Sequence, residues 1–294
     1  MMFQIVYAIF YLLSLLPWRV IYLLSDFAYF LLYYVFGYRK HVVMGNLLTA
    51  FPGKTEKERR EIAKKFYKQF ADNFIEVIKL LSISKKELNK RFVADFTVIN
   101  SLYDTGVNIQ LHLGHFFNWE FANLSLSANS LYPFIVVYMP IKNKVFNRLF
   151  FKLRQRCGSL MVAATNFRKD FLPLSKGRYM IGLVGDQNPG SPDSAYWTYF
   201  FNKLTPIVKG PEKGAKMNRA AVVMCKFYPV KRGHYEMQFE LLITDSRSLP
   251  DGEITKRMLT FIEDAIREHP ASYLWSHKRW KWQFVEDKHR KLVI

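Results

Sequence analysis

Apolar side chains dominate the first forty positions: a run from Phe3 to Leu16, then Pro17-Trp18-Arg19, then a second run from Val20 to Tyr38 interrupted by Asp26. The first run spans 14 residues. As a helix it is about 21 Å long against roughly 30 Å of hydrocarbon, too short to cross alone. The second crosses only by accommodating Asp26, at a cost of about 2.5 to 3.5 kcal/mol at mid-bilayer. A span and an interfacial or re-entrant hairpin both stay open. No cation precedes the apolar run and no small-residue cleavage site follows it, so the segment reads as a retained anchor. Arg39 and Lys40, close behind, put the rest of the chain on the cytoplasmic side.

The pattern then changes period. Thr55 and Glu58 have the spacing of a capping box and predict a helix that starts there and runs to about Leu81. Ile62, Phe66, Phe70, Phe74 and Ile78 recur every four residues along it, while Lys57, Arg59, Arg60, Lys64 and Lys68 fall mainly on other faces. From about residue 92, short apolar strands alternate with helical patterns. Strands are expected at Val107–Leu113, Pro133–Tyr138 and Tyr179–Val184, with helices from Trp119 and across Asn143–Arg156. A helix at Glu212–Arg219, a hairpin of Ala221–Tyr228 and Tyr235–Ile243 turning at Lys231-Arg232-Gly233, and an amphipathic helix at Glu253–Glu268 complete the pattern. The class is α/β: one domain over 41–294 with a mixed central sheet flanked by helices, preceded by a hydrophobic anchor over 1–40.

Composition narrows the partners. The 294 residues carry 43 Lys and Arg against 24 Asp and Glu, a formal charge of +19, so the working surface meets something anionic. Half the residues are hydrophobic and 17% aromatic, which suits contact with lipid better than a disordered nucleic-acid-binding tail. No helix-turn-helix, zinc finger or RNA-binding strand pair is present, and nucleic acid is set aside. The two cysteines, Cys157 and Cys225, build neither a disulfide framework nor a four-cysteine zinc site. His112 lies three residues before His115 without a third ligand, so no metal is expected. No G-x-S-x-G elbow occurs either.

Residues 111–120, Leu-His-Leu-Gly-His-Phe-Phe-Asn-Trp-Glu, follow directly on a strand, where ligands of an open α/β sheet bind. His115 leaves the strand end and Glu120 enters the first helical turn five residues later, with Asn118 placed to cap that helix and counted among the substrate-binding candidates. A histidine whose far nitrogen is held by a carboxylate can take a proton from an attacking hydroxyl with the near one. The alternative is a packed histidine beside an exposed helix-start glutamate. Gly114 lets the backbone approach a substrate closely. Asp186 and Gln187 follow another strand and reach towards the same place, although Asn188-Pro189-Gly190 also read simply as a turn. Lys209, before Gly210-Pro211, opens a helix whose free N–H groups can receive a phosphate, or can merely be capped and solvated. Trp275 and His277 through Lys281, with Arg279 among them, mix aromatics and cations as a headgroup site does, or pack on the core.

The His115-x4-Glu120 spacing resembles the H-x4-D/E signature of glycerolipid and lipid A acyltransferases. The surroundings resemble the late lipid A acyltransferases, the lauroyl and myristoyl transferase family. Leu16-Pro17, Tyr38-Arg39-Lys40, Asn46-Leu47, Phe51-Pro52, Gly114-His115-Phe116, Asn118-Trp119-Glu120, the stretch from Asn143 to Arg154, Asp186-Gln187 and Trp275 to Trp280 carry the likeness over nearly the whole chain. The resemblance implies an acyltransferase of the bacterial inner membrane that needs no cofactor. It implies His115 as general base with Glu120 as its partner, an acyl carrier protein thioester as donor, and an anionic glycolipid, a lipid A precursor, as acceptor. Arg154 matches the arginine after the family's second block and would bind acceptor phosphate or the thioester oxyanion; a surface arginine at a helix end is the plain alternative. Glutamate at position 120 leans towards the lipid A branch over lysophospholipid acyltransferases, which use the same base chemistry. A non-enzymatic basic membrane protein is the reading from another class.

Overall fold

The computed structural model describes residues 2–294. Helices α1 (Met2–Leu15) and α2 (Trp18–Phe30) meet at Pro17, and α2 runs on through a π-helical turn at Leu31–Val35. Next come α3 (Lys40–Ala50) and α4 (Glu56–Lys79). The predicted capping box is present at the start of α4: the Glu58 N–H donates to Thr55 Oγ1 and the Thr55 N–H to Glu58 Oε2.

After α5 (Lys85–Arg91), β1 (Phe92–Ala94) and α6 (Thr97–Ser101), the alternating part begins with β2 (Ile109–Leu113), α7 (Trp119–Asn129), β3 (Phe134–Tyr138) and α8 (Lys144–Arg154). It continues through β4 (Leu160–Ala163), α9 (Phe167–Leu174) and β5 (Met180–Val184). A small hairpin, β6 (Tyr196–Phe200) with β7 (Lys203–Ile207), precedes α10 (Gly210–Asn218). The long β8 (Ala221–Lys231) and β9 (His234–Ile243), α11 (Glu253–Glu268) and α12 (Glu286–His289) finish the chain.

Seven strands form one sheet in the order β1-β9-β8-β2-β5-β3-β4, parallel throughout except where β9 returns antiparallel along β8. The strand β2 is central and buried at every position, as a strand covered on both faces must be. Its neighbours β5 and β8 both run parallel to it, in registers that set Leu113 opposite Val184 and Cys225. Below this sheet α11 presents Ile254, Met258, Ile262 and Ile266 as a buried apolar stripe.

The apolar segment at the start packs on this body. Ile21 and Ser25, one turn apart on α2, are fully buried, and α2 lies along α4. Asp26, the residue that obstructs a crossing in the sequence, points at protein: Arg232 Nη2 donates to its Oδ1 at 2.7 Å and to Asp72 Oδ1 at 2.7 Å, while the Ser25 hydroxyl donates to Asp72 at 2.6 Å. The opposite side of α2 and its extension exposes Leu23, Phe27, Phe30, Tyr34 and Phe36. Among the described residues no single helix is long and apolar enough to cross a membrane; α1 and the α2 segment have the needed length together, across a bend of 112°.

Candidate active site

Two parallel neighbours, β2 and β5, end level with each other at Leu113 and Val184. Each is followed by a glycine and then an ionisable residue: Gly114-His115 and Gly185-Asp186. The glycines are required by α11. A Cβ on Gly114 would lie 3.0 Å from Ile262 Cγ2, and one on Gly185 would lie 2.9 Å from Met258 Sδ. The close approach at Gly114 is therefore to a helix of the core, where the sequence suggested a substrate. The equal spacing then brings His115 and Asp186 side by side. His115 Nδ1 is 2.5 Å from Asp186 Oδ1, and the His115 backbone N–H donates to Oδ2 at 3.1 Å.

Asp186 is fully buried, which by itself would raise its pKa. The His115 charge, the two hydrogen bonds from His115 and the Tyr273 hydroxyl outweigh that and bring it down to about 2. An ionised carboxylate only accepts hydrogen bonds, so Nδ1 carries a proton and, in the neutral form of the ring, Nε2 is the unprotonated nitrogen. Nε2 is left with a lone pair and no hydrogen-bond partner among the described residues, on a side chain 22% exposed. This is the arrangement of a general base held by a buried acid.

Glu120 does not occupy the place the sequence suggested. Helical spacing puts it on the same face of α7 as Asn123, and that face meets the end of α8. There Arg154 grips the Glu120 carboxylate with two nitrogens, Nη2 to Oε1 at 2.6 Å and Nε to Oε2 at 3.0 Å, while Asn123 donates to the Arg154 carbonyl at 3.1 Å. Glu120 is 2% exposed, so its charge is fully committed to that pair. Arg154 is correspondingly engaged, with its guanidinium also over the Tyr138 and Phe150 rings.

Asn118 stands at the N-cap position of α7 but makes no side-chain cap. Its amide is buried and donates 2.8 Å to Glu76 Oε2, joined there by the Tyr235 hydroxyl at 2.7 Å; Tyr22 donates to the other Glu76 oxygen at 3.0 Å. One acid on α4 thus ties α2, the loop after His115 and β9 together. Burial, with the Asp72 charge nearby, pushes Glu76 up to about 7 against an ordinary 4.5, although its donors oppose this. From pH 4.5 to 7 the folded chain then holds a proton that the unfolded chain releases, so stability falls as pH rises through that window, by up to about 3 kcal/mol. The melting temperature should drop between pH 5 and 7.5, and a Glu76→Gln variant should show a flatter profile across the same range.

A strap from Ser272 to His277 fixes His115 from the other side. The Phe117 N–H donates to Ser272 O at 3.0 Å, and the Leu274 N–H donates to His115 O at 3.1 Å. The strap is pinned in turn by Asn46, whose amide donates to the Trp275 and His277 carbonyls, each at 2.7 Å, and by Arg39, which donates to Ser276 O at 3.0 Å. These contacts give the Tyr38-Arg39-Lys40 and Asn46 motifs a reason to accompany a distant histidine motif. His277 itself is lowered to about 4 by burial and by the Arg279 and His115 charges, and is neutral.

The remaining candidates are dispersed. Arg279, expected at a headgroup site, is 1% exposed and donates to Asn188 Oδ1 at 3.1 Å and more weakly to Pro206 O. Trp275 is fully buried. Gln187 is half-buried beside Asp186, and Lys209 lies over the Tyr196 ring at the start of α10. His112, one strand face away, is buried next to Gln110. Of the residues the sequence singled out, the fold therefore joins His115 and Asp186 directly, pairs Glu120 with Arg154, and turns Asn118 and Arg279 inward. Tyr273 and Glu76 were not singled out at all.

Comparison with known proteins fits this geometry to a family. A model of the family described as bacterial lipid A biosynthesis acyltransferase matches residues 1–282. The chain belongs to that family. It is also similar to a lipid A biosynthesis acyltransferase of Haemophilus influenzae, at 27% identity over 236 residues, covering 78% of this chain and 72% of the relative. Family membership makes it an acyltransferase of lipid A synthesis, and both the histidine motif and the strap that holds it fall inside the matched span.

Proposed function

We propose that this enzyme moves a fatty acyl chain from an acyl carrier protein thioester to a hydroxyl of a lipid A precursor, with His115 as general base and Asp186 as the acid that orients it. The observation that carries the reading is the 2.5 Å contact of Nδ1 with a buried, ionised Asp186, which leaves Nε2 as the basic nitrogen. Nε2 takes the proton of the acceptor hydroxyl as its oxygen attacks the thioester carbonyl. The tetrahedral intermediate collapses by breaking the C–S bond, and the departing thiolate recovers the proton from the imidazolium. Asp186 stays ionised throughout and stabilises that imidazolium. In this scheme Glu120 and Arg154 form a fixed pair that sets α7 against α8.

The excess of 43 cations over 24 anions supports an acidic carrier and a phosphorylated acceptor. The apolar faces of α1 and α2, exposing Ile5, Ile9, Leu12, Leu23, Phe27 and Phe30, support a hairpin seated in the bacterial inner membrane with the sheet on the cytoplasmic side. The test is transfer of a labelled acyl chain from acyl carrier protein by detergent-purified enzyme, offered a lipid A precursor and lysophosphatidic acid in parallel. Label on the lipid A precursor is the expected result. Label on lysophosphatidic acid alone would keep the chemistry and replace the acceptor, and label on neither by folded protein would overturn the donor and acceptor assignment.

A further inference from the structure

A concavity of about 300 Å³ lies between α4 and the β8–β9 turn. Lys65, Lys68, Lys231 and Arg232 stand around it over a floor that includes Phe117 and Tyr235. Its one lining acid, Asp72, is spent on Arg232 and Ser25. Asp26 adjoins it but is also bound by Arg232, and it lies 4.0 Å from Lys68. Lys65 and Lys231 are exposed and have no carboxylate within ion-pair distance among the described residues. Three lysines and Arg232 are thus brought to one hollow against two carboxylates, which leaves the cations in excess. Like charges that converge in this way repel, and an anion seated among them removes that cost.

The position of the hollow narrows the anion. Asp26 and Tyr22 on its flank belong to α2, whose other side exposes Leu23, Phe27 and Phe30. A bilayer meeting that apolar side has its headgroup layer, not its hydrocarbon, at the height of the lysines. The floor is also continuous with the catalytic loop. Phe117 is two residues from His115, Tyr235 shares Glu76 with Asn118, and Gln69 on the wall accepts from the Ser272 hydroxyl of the strap at 2.9 Å. We infer that the hollow between α4 and the β8–β9 turn is a binding site for the phosphate group of a membrane lipid, placed to hold a phosphorylated acceptor while its hydroxyl reaches His115. The acceptor role rests on the function proposed above; the phosphate site itself does not.

Two sources of lipid phosphate exist, the acceptor and the bulk phospholipid, and the experiment separates them. A Lys65→Gln/Lys68→Gln/Lys231→Gln variant of the full chain is compared with wild type in two assays, after its melting temperature shows that it folds. In the first, KM and kcat are measured for a phosphorylated lipid A precursor and for the same precursor with its phosphates removed. In the second, which needs no turnover, co-flotation is measured with vesicles of phosphatidylcholine alone and with 30% phosphatidylglycerol added, lipids chosen as probes. If the site holds the acceptor, KM for the phosphorylated precursor rises about tenfold or more with kcat nearly unchanged, and KM for the dephosphorylated one stays put. If it holds bulk lipid, the gain in flotation conferred by phosphatidylglycerol shrinks severalfold and both precursors respond alike. A Lys→Arg triple variant should restore whichever effect is seen. Unchanged kinetics together with unchanged flotation of the folded variant would overturn the site. Should wild type transfer no acyl chain at all, the function proposed above fails while the flotation arm still decides whether the hollow takes a lipid phosphate.

Discussion

A His115→Ala enzyme is expected to lose roughly 10²- to 10⁴-fold in kcat, the usual contribution of a positioned general base, while the chain still folds. The side chain is 22% exposed and reaches only Asp186, so its removal opens no core cavity. The cost falls on Asp186, a buried anion that loses its ring partner but keeps the 3.1 Å bond from the backbone N–H of residue 115 and the Tyr273 hydroxyl. Asp186 should therefore titrate higher in the variant. The loss of stability this brings should be present at neutral pH and fade in acid, since a carboxylate with a depressed pKa stabilises the fold above its unfolded value of 3.8 and ceases to do so as pH falls through the folded one, about 2. Burst-free, linear transfer kinetics on labelled acyl carrier protein give the rate. A variant with near-normal turnover would remove His115 from the chemistry.

The α/β alternation was legible because most of its elements announce themselves locally. The Thr55 box, the Glu253–Glu268 stripe and the apolar runs behind β2, β3, β5, β8 and β9 need no tertiary information. The elements that were not legible lack such signals. The hairpin of β6 and β7 turns at Phe201-Asn202, both at positive φ, 50° and 57°, without the glycine that usually marks such a turn. The strand Leu160–Ala163 has four residues, too few to show a period, and Pro173 interrupts the pattern of α9.

The site was half legible for a related reason. The placement of Glu120 in the first helical turn and the H-x4-D/E resemblance made it the expected partner of His115. In the fold the ring contacts Asp186: β2 and β5 are adjacent only because the chain crosses to β3 and β4 before returning, and nothing local reports that order. The one available signal was the repeat of form, a glycine and then an ionisable residue after each of two buried strands. Asp26 shows the same limit. Its cost in a bilayer is readable from the sequence, but its partner Arg232 lies more than two hundred residues away, in a turn recognisable only as a turn.

The partner question yields a second large expected effect, and its sign distinguishes the two acids. Asp186→Asn preserves shape but replaces an acceptor-only anion with an amide that can present either an oxygen or an NH₂ to Nδ1. The ring then samples the tautomer with Nε2 protonated, and the imidazolium formed during transfer loses its counter-charge. By analogy with the aspartate-to-asparagine change in serine protease triads, kcat should fall by about 10²- to 10⁴-fold with only modest loss of stability. Glu120→Gln should behave differently. It leaves the Arg154 guanidinium, 16% exposed, without its carboxylate, and breaking such a buried pair costs about 3 to 5 kcal/mol, less to the extent that water reaches the arginine. The melting temperature should drop well below that of Asp186→Asn, and activity corrected for the folded fraction should fall less. A double-mutant cycle on stability should couple Glu120 to Arg154 by about 0.5 to 3 kcal/mol and leave Glu120 and His115 additive. If Glu120→Gln instead folds like wild type and loses more turnover than Asp186→Asn, the acid that serves the histidine during catalysis is Glu120, reached by a rearrangement of α7, and Asp186 merely stores the ring between turnovers.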